Sequence, residues 1–160
     1  MGYLLRIGEA VIDAVDQECP PCITVGQLSV EGTPAHTDCG NPSEDRSNCI
    51  LPGYNGWSDF ASRRNLRVLF WGGAQASCPD GGPWTGPDGG RYAPLMPSHP
   101  GAGRLYPAHL AAFRQARELV PATRHHGAFL QRTDILQLDW LIWWTDWALK
   151  NCKCPVLANS

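Results

Sequence analysis

The chain has 160 residues, 43% of them hydrophobic, with 13 lysines and arginines against 15 aspartates and glutamates and a net charge of −2. That length and apolar fraction suffice for one domain, 1–160, with a real core, and exclude a disordered chain. The charge gives no electrostatic case for nucleic acid or an acidic membrane. Seven cysteines cannot all pair within one chain, and the opening MGYLLRIGEAVIDAV sets Arg6 and Glu9 inside its apolar segment, unlike a secretory signal. Reduced thiols or a metal site are therefore expected over a disulfide framework, in a virion or the cytoplasm.

In chain order, Leu4, Ile7, Val11 and Val15 recur at helical spacing with Arg6, Glu9, Asp13 and Asp16 opposite, which predicts an amphipathic N-terminal helix. It has to stop by Cys19, before Pro20 and Pro21. Ile23, Val25, Leu28 and Val30 read as a strand with a bulge near Gly26. Turn residues dominate 31–64, a long loop or loose hairpin whose Tyr54, Trp57 and Phe60 are too apolar to remain solvated, so it should fold back onto the body or a neighbour. The alternation of Leu66, Val68 and Phe70 predicts a central strand over 66–71.

Residues 72–107 form a Gly/Pro-rich arm with Trp84, Tyr92, Leu95 and Met96 as apolar anchors for docking. Pro107 suits a first helical position, and Leu110, Phe113, Ala116 and Val120 mark a helix ending before Pro121.

The stretch 133–150, TDILQLDWLIWWTDWALK, holds four of the seven tryptophans. Thr133 or Asp134 offers a cap, and Asp134 with Gln137 approximates a capping box, which predicts a helix start there. Ile135, Leu138, Ile142 and Leu149 share one face; Leu136, Trp140, Trp143, Trp144 and Trp147 share another. A helix apolar on two faces must be covered on both. It is expected to be part core and part interface, with Trp140, Trp143, Trp144 and Trp147, joined by Trp57, Trp84 and Tyr92, as the interface residues. The run is too short and too acidic to span a membrane. The fold class expected is α+β, or mixed α/β: a small sheet, an N-terminal helix, two C-terminal helices and long Gly/Pro-rich loops.

Candidate chemistry is sparse. Cys19-Pro20-Pro21-Cys22 has the spacing of a redox pair, but here a helix precedes it and a strand follows, so the helix dipole opposes thiolate formation. Cys19 and Cys22 with Cys152 and Cys154 could complete a closed, structural zinc site; no other cofactor is expected. A cysteine- or metal-dependent hydrolase would draw on Cys39 or Cys78 and one of the five histidines, among them His36, His125 and His126. Gly72-Gly73 is followed by no phosphate-binding pattern. No catalytic residue is assigned.

The cysteine pair at Cys19 and Cys22 after an N-terminal amphipathic helix, the strand behind it, Asp38-Cys39, a second apolar strand closed by Cys78-Pro79, the proline-rich connection and the helix at Pro107 together resemble the small neck and tail-completion proteins of tailed phages. Head–tail connectors and tail terminators are of this type. The resemblance covers roughly the first two-thirds of the chain. It implies a non-enzymatic ring-forming subunit of a virion, contacting its own copies and neighbouring structural proteins. A zinc-stabilised binding module is the remaining alternative.

Overall fold

Leu5 and Ile7 alternate with Arg6 and Gly8, and the alternation is that of a strand. The computed structural model describes residues 1–13, 22–38, 41–43, 45–73, 82–120 and 128–160. In it β1 (Leu5–Glu9) buries Leu5 and Ile7 completely. It lies between β6 (Cys49–Ile50) and β10 (Pro155–Asn159), and β9 (Gly101–Arg104) completes an antiparallel four-stranded sheet in the order β6-β1-β10-β9. The register Leu5↔Asn159 and Ile7↔Leu157 puts Leu5, Ile7 and Leu157 on the core face. Arg6 and Ala158 are left on the other. Gly8 lies under Val25, whose Cγ1 would be 2.9 Å from any added Cβ. The predicted N-terminal helix is thus two strands, β1 and β2 (Val11–Asp13).

The remaining strands are short ribbons. β2 pairs with β3 (Cys22–Thr24), β4 (His36–Asp38) with β5 (Asn41–Ser43), and β7 (Trp84–Thr85) with β8 (Arg91–Tyr92). The strand expected over 23–30 therefore ends at Thr24. Beyond it Asn48 takes over the pairing: its side-chain amide donates to the carbonyls of Ile7 (2.8 Å) and Gly26 (2.9 Å), and its Oδ1 accepts from the Leu28 amide (2.8 Å).

Within the expected loop 31–64, Trp57, Phe60 and Ala61 fall at helical spacing and are fully buried on α1 (Tyr54–Arg63). The fold-back of this segment is as expected; its irregularity is not. The predicted strand 66–71 is a short helix, α2 (Arg67–Trp71). Leu66, Leu69 and Phe70 face inward at helical spacing while Val68 is exposed. The arm docks through its anchors: Leu95 and Met96 are buried, and their amides donate to the carbonyls of Leu69 (3.1 Å) and Phe70 (2.7 Å).

Helix α3 (Pro107–Glu118) begins with Pro107 as expected. Helix α4 (Ala128–Asn151) begins earlier than Thr133. Asp134 does not cap it; fully buried, the carboxylate takes Arg63 (2.8 and 3.2 Å) and Arg64 (2.6 Å) from α1 and its end. One hydrophobic cluster joins β1, β6, β10, the arm and all four helices, which makes the fold α+β.

Candidate interaction surface

The tryptophan helix serves the core first. Leu138, Leu141, Thr145 and Ala148 are fully buried, as are Trp140 and Trp144. The Trp140 indole N–H donates to the Ser47 carbonyl at 3.2 Å, 93 residues away. Trp57 packs at 4.9 Å from Phe60 and 5.1 Å from Phe70, equally buried. Full burial leaves Trp57, Trp140 and Trp144 no surface to offer a partner, so their interface assignment is corrected. Trp143 and Trp147 are half-buried against the core, edge-on to Trp144 at 4.8 and 5.5 Å, and keep an outward edge. Acidic neighbours on the same helix are already engaged: Asp139 with Arg117 at 3.0 Å and Asp146 with Lys150 at 2.7 Å.

Trp84 and Tyr92 are also half-buried, in a ring cluster with Tyr106 and His109. His109 Nδ1 accepts the Tyr106 backbone N–H at 2.9 Å, which fixes a neutral imidazole with its proton on the buried, unpartnered Nε2. Burial pushes this imidazole down to about 4. Above pH 6.5 it is neutral in both the folded and the unfolded chain, and stability is complete. Between 6.5 and 4 only the unfolded chain takes up the proton, so stability falls with pH by about 3 kcal/mol. Urea midpoints from pH 7.5 to 4 should therefore decline more steeply in the wild type than in His109→Gln. Equal slopes would remove His109 from the account.

The surface that stands out is the β2–β3 ribbon. It pairs with no other strand among the described residues, and Val11, Ile12 (67% exposed) and Ile23 lie open to solvent. Ile12 and Ile23 are cross-strand partners. Beside them runs a groove of about 490 Å³ along the outer sheet face, lined by Leu4, Arg6, Ile23, Val25, Pro100 and Ala158. Arg6 spans its floor and donates to the Val25 carbonyl at 3.2 Å. The helical spacing of Leu4 and Val11 hides the first strand of this ribbon while Ile23 and Val25 read as the second; the β-branched run Val11-Ile12 and its match in Ile23-Thr24 are the signal for the pairing.

The Cys152 thiol is pushed up to about 11, by burial and then by Glu9, and so stays protonated at neutral pH. Glu9 meanwhile accepts the Cys154 backbone N–H at 2.9 Å. Cys22 lies on β3 opposite Asp13, and Cys19 falls outside the described residues. Among the described residues no three His, Cys, Asp or Glu side chains are grouped to hold a metal, and the suggested zinc site, which needs Cys19, extends beyond them. Cys39, Cys78, His125 and His126 also fall outside them. His36 is buried, 3.9 Å from Asp45.

One hydrogen-bonded line was not foreseen. Asn159 Nδ2 donates to the carbonyls of Ser98 and Gly101 at 3.0 and 3.3 Å, which turns its Oδ1 toward His99 Nδ1 at 2.8 Å. His99 Nδ1 is then the donor, and Nε2 accepts the Tyr54 hydroxyl at 3.1 Å. The line ties the first residue of α1 to the end of β10. While it is intact, both ring nitrogens of His99 are engaged in hydrogen bonds.

No protein-family model matches the chain, and no curated protein and no solved structure matches it. Among the described residues no helix is long and apolar enough to cross a membrane.

Proposed function

We propose that the chain is a non-enzymatic structural subunit that assembles with copies of itself and with neighbouring proteins, a virion being the setting implied by its sequence resemblance. The observation that supports this most is the β2–β3 ribbon. A lone two-stranded ribbon is marginal in water, and one with exposed Val11, Ile12 and Ile23 gains most from a cover. The half-buried edges of Trp143 and Trp147 and the groove beside Ile23 enlarge the surface available to such a cover.

Native mass spectrometry tests the reading. The wild type should form a discrete oligomer. Ile12→Asp and Ile23→Asp should dissociate it, while melting of the dissociated chain shifts by no more than about 0.5 kcal/mol, as for other exposed substitutions. A wild type that is monomeric at every concentration would sink the self-assembly, and an oligomer indifferent to both substitutions would move the contact elsewhere.

A further inference from the structure

The cross-strand neighbours of Arg6 are Cys49 on β6 and Ala158 on β10, so the register of the sheet sets no carboxylate beside it. Among the described residues it has no ion-pair partner, and it is the only charged side chain in the described lining of the outer-face groove. Its three nitrogens differ. Nη1 donates to the Val25 carbonyl, Nε is enclosed without an acceptor, and Nη2 is neither bonded nor enclosed. Covering the groove with a purely apolar surface would take water from this guanidinium and leave it unpaired, a cost that apolar contact alone does not offset. The occupant therefore carries an anion beside an apolar side chain.

Such a pair stands on the chain itself. Helix α3 ends at Glu118, where a carboxylate meets the negative end of the helix dipole. Glu118 is exposed, and among the described residues it has neither a hydrogen bond nor an ion pair. The arginines nearest in sequence are taken, Arg114 by Asp146 and Arg117 by Asp139. Leu119, the next residue, is 73% exposed. Of the acidic side chains that the structure describes, Glu118 alone is both unpaired and joined to a large apolar residue this open. An unfavourably placed carboxylate and an unfavourably wet leucine thus match what the groove lacks.

We propose that Glu118 and Leu119 of one copy dock in the Arg6 groove of a second copy, the carboxylate on Arg6 Nη2 and the leucine against Ile23 and Pro100. Helix α3 packs Phe113 and Ala116 into the core on one side of the sheet, and the groove lies on the other. The two halves of the contact therefore sit on different sides of one chain, and the contact is head-to-tail. This rests on the self-assembly reading and gives it a partner surface, since Ile23 belongs both to the ribbon and to the groove.

Sedimentation velocity on full-chain variants, singly and mixed, tests it. Arg6→Glu and Glu118→Arg should each weaken assembly at least about tenfold, the loss expected for one charge-assisted contact. An equimolar mixture of the two should reassemble, because each copy then meets the opposite charge on its neighbour at both ends. Mixing does not repair a folding defect. Glu118→Arg removes a charge that the helix end disfavours, so its melting stays the same or rises. It therefore decides the matter alone if Arg6→Glu, which loses the Val25 bond, folds poorly. A wild type that is monomeric at every concentration would end this proposal together with the self-assembly reading. Wild-type assembly in Glu118→Arg, or a mixture of folded variants that stays dissociated, would overturn this contact and leave that reading standing.

Discussion

Replacing Asp134 with alanine is expected to destabilise the protein by about 3–5 kcal/mol, the range for removing one partner of a buried ion pair. The carboxylate is fully buried and holds two guanidiniums, of which Arg64 is 13% exposed and Arg63 32%. In the intact protein its hydrogen bond raises the Arg63 guanidinium further above its already high range. Arg63 regains water after the substitution and Arg64 does so less, which favours the lower half of the range. A loss of this size in a chain of 160 residues lowers the melting temperature by roughly 10 °C. Asp134→Asn keeps the volume and one acceptor and should fall between. A melting curve unchanged in Asp134→Ala would mean that α1 and α4 are held by apolar packing alone.

The same residue shows where sequence patterns mislead. Asp134 three residues before Gln137 has the look of a capping box, yet the groups that decide its role, Arg63 and Arg64, lie about 70 residues earlier. A carboxylate inside a helix is legible only with its partner. Pro107, by contrast, announces its helix from purely local constraint, a fixed φ and an absent N–H, and the helix starts there. The docking of the arm was legible because Leu95 and Met96 are too apolar to leave in water, whatever their backbone does.

Periodicity failed where two periods fitted the same residues. Leu66, Val68 and Phe70 alternate like a strand, while Leu66, Leu69 and Phe70 repeat like a helix; the turn at Asn65, with φ 57°, and the packing of Phe70 on Trp57 and Phe113 select the second. Leu4 to Val15 is the opposite case. Helical spacing was present, but β10 supplies a ladder from Leu5↔Asn159 to Glu9↔Pro155, and that pairing partner lies some 150 residues away. For the candidate surface, the expected amphipathic helix is replaced by a core strand, β1, and by β2, one edge of an open ribbon, and the tryptophans chosen as interface residues include three that are fully buried.

Trp140→Ala is the second substitution with a large expected effect, about 3–5 kcal/mol, because it opens a cavity beneath α4 and removes the only N–H that Trp140 sends across the core to the Ser47 carbonyl. Trp140→Phe should cost less, about 1–3 kcal/mol, since most of the apolar volume remains while that carbonyl loses its donor. Concentration separates this role from the interface role expected of the helix. A core residue lowers the urea midpoint by the same amount at every protein concentration. A residue that contacts a partner lowers it in proportion to how much of the chain is assembled. With Trp140 fully buried in the single chain, the first behaviour is predicted for Trp140→Ala and the second for Ile12→Asp. A concentration-dependent midpoint shift for Trp140→Ala would show instead that assembly holds α4 in place, and would make the subunit's core and its contacts one cooperative unit.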